Sequence, residues 1–202
     1  MLPLEIEVLR ARRGERDVLI DVRVWERGQI LRGLKAGDFT LLVNSRSAPF
    51  TFEARRADDP VCLIAVVDNS GSVAPGLSQI REALGKLSAA RKPNDELGLV
   101  VFGAHDEIFV RQAPTPAPLN TQGVNASGDY TALWDGVLEG LETAQGCSAA
   151  NRYLVVLTDG HDNDSRRLGG DSMTQAREIA RRAATQDVNI CCLLYTSPSP
   201  RD

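Results

Sequence analysis

The chain has 202 residues, of which 43% are apolar and 25% are charged, and its formal net charge is −4. This balance is typical of a globular protein, and the lack of a basic excess argues against nucleic acid as a partner. No apolar run reaches the ~18 residues that a membrane span requires, and the first residues lack the basic and apolar regions of a signal peptide. We therefore expect neither a membrane span nor a signal peptide within this sequence.

Residues 1–57 carry short strand signals separated by glycine-containing turns. Apolar and polar residues alternate within several of these segments, as they do in strands with one buried face. The predicted strands cover residues 4–9, 18–25, 38–43 and 49–54. The sequence therefore predicts a small, β-rich, antiparallel leader module.

From residue 58 onwards, strand and helix signals alternate. Residues 61–67 are seven apolar residues without a polar break, which is typical of a strand covered on both faces. Further strands are predicted at 97–102, 107–112, 153–158 and 188–191, and helices at 75–91, 131–144 and 172–186, with Met173 facing the core. A tight turn joins strands 97–102 and 107–112, which predicts antiparallel pairing. The pattern predicts an α/β fold, a doubly wound and mostly parallel sheet with one antiparallel edge strand.

The last eleven residues, 192–202, have the sequence CLLYTSPSPRD. They are similar to one reading frame of a transposase-type sequencing adapter. We interpret them as a non-native tail, which does not belong in fold reasoning. The α/β domain, residues 58–191, is then expected to be truncated at its C-terminus, within a strand.

The cysteines and histidines show no metal-ligand spacing. Cysteine occurs at Cys62, Cys147, Cys191 and Cys192, with no Cys-x-x-Cys pair. We interpret them as small buried hydrophobes with free thiols. His105 and His161 lie in polar segments and are expected to be solvated loop residues.

Three polar clusters follow or precede the predicted elements of the α/β domain. They are DNSGS at 68–72, SGDYT at 127–131 and TDG at 158–160. The loops at the carboxyl ends of parallel strands gather at one edge of a sheet, so these clusters are expected to lie close together. The candidate ligands in them are Asp68, Ser70, Ser72, Thr131 and Asp159.

These candidate ligands are all oxygen donors, two carboxylates and three hydroxyls. Such a set favours a hard cation, Mg²⁺ first and Mn²⁺ or Ca²⁺ next, over zinc. Asp-x-Ser-x-Ser alone also fits ordinary caps and turns, and it is the conjunction of three clusters that favours a metal site. The neighbouring acids Asp129, Asp162 and Asp164 are expected at the rim of the site.

By residue type and order, the five candidates resemble the metal-ion-dependent adhesion site (MIDAS) of the von Willebrand factor type A (VWA) family. The resemblance covers residues 60–191, and GLKAGDF at 33–39 is similar to a leader found in a bacterial branch of that family. It implies a Rossmann-like fold in which Ser70, Ser72 and Thr131 contact Mg²⁺, while Asp68 and Asp159 act largely through water. It also implies that an Asp or Glu of a protein partner completes the site, and it favours an extracytoplasmic or cell-surface location.

A metal-dependent protein-binding module is the function that these patterns favour, and we expect no enzymatic activity. Ser70 stands where an aspartyl-phosphate enzyme would place a second Asp, and there is neither a Gly-x-Ser-x-Gly elbow nor a Gly-x-x-x-x-Gly-Lys loop. One alternative is an accessory VWA subunit of an ATPase- or chelatase-type complex. Another is a degenerate VWA domain that binds partners without metal, against which the complete ligand set argues.

Overall fold

The computed structural model describes residues 4–13, 17–54, 59–125 and 128–194. The chain divides into two compact units, Met1–Asp59 and Pro60–Asp202. No helix in the described part of the chain is long and apolar enough to cross a bilayer.

The first unit is built from short antiparallel strands, as predicted. One sheet has three strands in the order β1, β2 and β3, and a second sheet pairs β4 with β5. The strands are β1 (Glu5–Arg13), β2 (Val18–Glu26), β3 (Gln29–Ile30), β4 (Leu42–Val43) and β5 (Arg46–Ser47).

Two of the strand predictions in this unit are wrong: the strand at 38–43 is shorter than predicted, and the strand at 49–54 is absent. The Asp38 carboxylate accepts a hydrogen bond from the Lys35 amide (2.7 Å) and closes a short 3-10 turn, so the strand predicted from residue 38 begins only at Leu42. Residues 49–54 form no regular element. Instead, the ring of Phe52 packs against that of Phe39, with centroids 5.3 Å apart.

The second unit is a five-stranded sheet flanked by helices. Its strands are β6 (Val61–Asp68), β7 (Glu96–Phe102), β8 (Ile108–Thr115), β9 (Asn151–Thr158) and β10 (Val188–Leu194). Its helices are α1 (Leu77–Ala90), α2 (Leu133–Thr143) and α3 (Ser172–Gln186). The strand order is β10-β9-β6-β7-β8, and only β8 is antiparallel to its neighbour. The predicted fold class is confirmed.

The central strand β6 is buried on both faces because its alternate residues pack on opposite helical layers. Ile64 and Val66 belong to the cluster that contains residues of α2 and α3. Ala65 and Val67 belong to the other cluster, together with Ile80 of α1 and its neighbours. The unbroken apolar run in the sequence thus places β6 at the centre of the sheet, with its carboxyl end enclosed by loops.

The predicted inward face of α3 is wrong at its first turn. The Asp171 carboxylate caps the helix by accepting a hydrogen bond from the Thr174 amide (2.7 Å). The buried residues then recur every four positions from Gln175 to Ala183, whereas Met173 is 62% exposed.

Strand β10 forms one edge of the sheet. It pairs with β9 in parallel and runs three residues beyond the predicted end at residue 191. Cys191, which was expected to be buried, is exposed at this edge. The adapter origin of residues 192–202 stays a prediction, and residues 195–202 lie outside the described part of the chain.

A disulfide joins Cys62 and Cys147, so the prediction of free thiols is wrong for this pair. Both residues are buried, with Cα atoms 5.9 Å apart and 85 positions between them in sequence. The bond links the start of β6 to the turn that follows α2. Beside it, the Glu96 carboxylate accepts hydrogen bonds from the amides of Ser148 (2.8 Å) and Ala149 (3.0 Å).

We predict that replacing both bonded cysteines, Cys62→Ala with Cys147→Ala, lowers the free energy of unfolding by about 2–5 kcal/mol, because the bond closes a long loop in the unfolded chain. Urea denaturation with and without dithiothreitol measures the effect. The exposed Cys191→Ala change is the control and should leave stability unchanged. A wild-type protein as stable in reductant as in its absence would contradict the prediction.

Candidate functional site

The three polar clusters meet at the carboxyl edge of the sheet. The first loop follows β6, the second loop precedes α2 and the third loop follows β9. All three surround the same end of the central strand, where Asp68 pairs with Phe102 of β7. Ser127 lies outside the described residues. A cleft of about 320 Å³ opens between these loops.

Asp68 is the innermost of the candidate ligands and is completely buried. One carboxylate oxygen accepts a hydrogen bond from the Ser70 amide (2.9 Å), and the other accepts one from the Thr158 hydroxyl (2.8 Å). Burial raises the pKa of Asp68 and outweighs these hydrogen bonds, and the negative charge of Asp159 raises it further. Asp68 therefore lies where a nearby cation would be stabilising.

Ser70 and Ser72 bring two hydroxyl oxygens together in the loop after β6. Their Oγ atoms are 2.9 Å apart, with Ser70 buried and Ser72 exposed. Between them, the Gly71 amide donates to the Gly128 carbonyl (2.8 Å), and a Cβ at Gly71 would lie only 3.2 Å from that oxygen. A glycine thus allows the first and second loops to cross closely.

Thr131 is buried directly before α2 and is held by the loop after β9. Its amide donates to the side-chain oxygen of Asn163 (2.8 Å), while its carbonyl accepts from the amides of Asn163 (3.0 Å) and Asp164 (3.1 Å). The position of Thr131 in the cleft is therefore fixed by the third loop as well as by the helix that follows it.

Asp159 is half-buried at the end of β9. Its carboxylate accepts a hydrogen bond from the His161 amide (3.0 Å), and its charge acts on Asp68. Among the described residues, the cleft is lined by Ser70, Gly71, Ser72, Gly128, Asp129, Thr131, His161, Asp162 and Asn163. The structure thus brings three hydroxyls to the cleft and places two carboxylates behind or beside them.

Two of the neighbouring acids, Asp162 and Asp164, hold the loops in place through hydrogen bonds to backbone amides. Asp162 accepts a hydrogen bond from the Leu133 amide (3.0 Å) at the start of α2, and Asp164 accepts one from the His105 amide (2.8 Å). No spacing pattern signals either contact, because each joins residues far apart in the chain. Asp129 is exposed at the rim, as predicted.

His105 is not a solvated loop residue, so that prediction is wrong. Its ring bonds to the buried carboxylate of Asp135 (2.7 Å), which also accepts hydrogen bonds from the amides of Arg166 and Arg167. His161 has an exposed side chain, as predicted. The His105–Asp135 pair therefore anchors the third loop on α2, next to the candidate site.

A second cavity, of about 290 Å³, lies beside this pair. Its buried carboxylate Glu139 is already paired with Arg111 and Arg167. The candidate ligands remain those of the cleft, because no arginine or lysine among the described lining residues neutralises its carboxylates.

The donor set of the cleft fits a hard divalent cation. All its candidate ligands are oxygens, which Mg²⁺ and Mn²⁺ prefer. Adjacent ligands of an octahedral ion at about 2.1 Å lie about 3 Å apart, close to the 2.9 Å between the Ser70 and Ser72 oxygens. Elsewhere in the described part of the chain, the ligand atoms of Cys62, Glu96 and Cys147 also lie close together, but the two sulfurs are bonded to each other.

Comparisons with solved structures found several similar chains, of which BatB of Bacteroides thetaiotaomicron supports the fold. BatB of Bacteroides thetaiotaomicron is 21% identical, with 67% of this chain and 66% of that chain covered and a TM-score of 0.51. Manganese-loaded TRAP of Plasmodium vivax is 18% identical, with 66% and 56% covered and a TM-score of 0.48. The pilus adhesin SpaC of Lactobacillus rhamnosus GG is 18% identical over 54% of this chain, with a TM-score of 0.41, and this chain spans only 16% of it.

Sequence comparisons give one assignment. No curated protein sequence matches the chain. The model of the von Willebrand factor type A domain matches residues 63–201, more than half of the chain. The matched range includes most of residues 192–202. The chain therefore belongs to the von Willebrand factor type A domain family.

Proposed function

We propose that this chain is a divalent-metal-dependent protein-binding module with a MIDAS-type site. Ser70, Ser72 and Thr131 would contact Mg²⁺ directly, and Asp68 and Asp159 would act largely through water. When bound, the ion supplies an electrophilic centre that accepts a carboxylate from a protein partner. The observation that best supports this proposal is the group of oxygen-bearing side chains around the buried Asp68, in the cleft at the carboxyl edge of the sheet.

The hydrogen bonding of the Ser70 and Ser72 hydroxyls supports a binding function rather than an enzymatic one. Ser70 and Ser72 bond to each other, and within the described ranges neither hydroxyl is bonded to a histidine. Without a histidine as its general base, a seryl hydroxyl is ordinarily a weak nucleophile. We therefore propose that the chain binds a partner and does not catalyse a reaction.

We further propose an extracytoplasmic or cell-surface location. The Cys62–Cys147 bond supports it, since disulfides persist mainly in oxidising compartments. The same bond argues against the alternative, an accessory subunit of an ATPase- or chelatase-type complex, because such a complex draws on cytosolic ATP.

Mg²⁺ is predicted to stabilise the wild-type chain against heat. At a hundredfold excess over Kd, binding to the folded state alone contributes about 2.7 kcal/mol, or a rise in Tm of about 5–10 °C for a chain of this size. Thr131→Val removes one ligand oxygen at nearly constant volume and should abolish most of the rise. Differential scanning fluorimetry with a chelated reference measures both.

The matched control is Thr185→Val, which removes a hydroxyl from the exposed surface of α3. It should respond to Mg²⁺ as the wild type does. An equal response of wild type and Thr131→Val would contradict the assignment of the site.

Asn163→Ala is predicted to weaken Mg²⁺ binding about tenfold, although Asn163 is not itself a proposed ligand. The change removes the acceptor of the Thr131 amide and frees that segment to move. Isothermal titration with Mg²⁺ measures the affinity.

The control for this change is Asn120→Ala, which also removes a side-chain acceptor of a backbone amide but lies outside the cleft lining. Its Mg²⁺ affinity should equal that of the wild type. An unchanged affinity in Asn163→Ala would show that Thr131 does not depend on this contact.

A further inference from the structure

The cleft carries more negative charge than one divalent ion compensates. Asp68 and Asp159 lie behind the hydroxyl ligands, and Asp129 and Asp162 line the cleft. A bound Mg²⁺ leaves two negative charges uncompensated, and among the described residues that line the cleft there is no lysine or arginine. A partner's carboxylate that approached without a neighbouring cation would be repelled by these remaining negative charges.

The nearby arginines do not remove the surplus, because they are engaged elsewhere. Arg166 pairs with Asp164, and Arg167 pairs with Glu139 and Glu142. Asp162 accepts hydrogen bonds from the Leu133 amide and the Ser165 hydroxyl. These contacts hold the third loop and leave its lining acidic.

Asp129 is an exposed acid at the rim of the cleft. Within the described ranges of the chain, its carboxylate has no hydrogen-bond or ion-pair partner. It stands two positions before Thr131, so its Cα atom lies within about 7 Å of that of the proposed ligand.

Tyr130 lies between these two residues and is 58% exposed. Exposed tyrosines are enriched among the residues that dominate binding energy at interfaces. The face of an aromatic ring also attracts lysine and especially arginine. An acid and an aromatic ring thus stand side by side next to the site that would take the partner's carboxylate.

We propose that the partner segment pairs its Asp or Glu with a lysine or arginine one or two residues away. The carboxylate binds the metal, the cation binds Asp129, and Tyr130 packs against that cationic side chain. The surface formed by Asp129, Tyr130 and the cleft therefore selects a segment of mixed charge rather than an acidic run. This inference rests on the proposed metal-dependent function.

A random heptapeptide library displayed on phage tests the inference. The library is panned on the full chain in Mg²⁺ and released with EDTA. Released peptides are expected to carry Asp or Glu, with Lys or Arg within two positions more often than in the starting library. Asp129→Asn should retain the acidic preference and lose the basic one, and Tyr130→Ala should weaken the preference for Arg.

The matched control is Asp17→Asn, which neutralises an exposed carboxylate of the first unit, outside the cleft. It should select the same peptides as the wild type. For a selected peptide, replacing the basic residue by Gln should weaken binding to the wild type about fivefold to tenfold and binding to Asp129→Asn much less.

The outcomes separate the two proposals. EDTA-released acidic peptides without a basic neighbour, or an unchanged selection by Asp129→Asn, would overturn this inference and leave the metal-dependent function intact. A library from which EDTA releases nothing above background would contradict the proposed function, and this inference with it.

Discussion

The rest of the site depends on the burial of one carboxylate at the end of the central strand. Asp68 is removed from water by the loops that follow β6 and β9, and its two oxygens accept hydrogen bonds from Ser70 and Thr158. Burying a charge is costly unless it is paired and hydrogen-bonded. Here the hydrogen bonds are present, yet the pKa of Asp68 is still raised, because burial and Asp159 disfavour its charge. A cation at this place would lower the free energy of the charged form, which is the physical basis of the proposed metal site.

The loops around Asp68 are held by contacts between elements. Thr131 is fixed by Asn163, and the third loop is fixed on α2 through Asp162 and Asp135. At the opposite end of the sheet, the disulfide between Cys62 and Cys147 ties β6 to the turn after α2. The loop after β6 is joined to the segment before α2 by the hydrogen bond from the Gly71 amide to the Gly128 carbonyl. The disulfide makes the corresponding link at the other end of β6 and α2.

Much of the fold could be predicted from the sequence because its signals are local. The apolar run 61–67 identified the central strand, and the alternation of strand and helix after it fixed the parallel sheet and hence the common edge of the polar clusters. The residues after β6 and before α2 were found this way because they directly adjoin strongly patterned elements. The inward face of α3 was predicted correctly at Ile179 and Ala183, but it was wrong in the first turn, where Met173 is exposed and Gln175 is buried instead.

The contacts that could not be predicted join residues far apart in the chain. No spacing rule connects Cys62 with Cys147, or His105 with Asp135, and each pair forms only because the sheet brings its elements together. The strand expected at 49–54 is absent, and the apolar Phe52 in that segment packs against Phe39 without strand pairing.

The most direct test of the proposed metal site is a crystal structure of the chain grown with Mn²⁺, with anomalous diffraction used to locate the ion. We predict a peak in the cleft, with oxygens of Ser70, Ser72 and Thr131 at about 2.0–2.3 Å from it. A crystal grown at a saturating Mn²⁺ concentration that shows no peak in the cleft, or a peak on other residues, would contradict the proposed site.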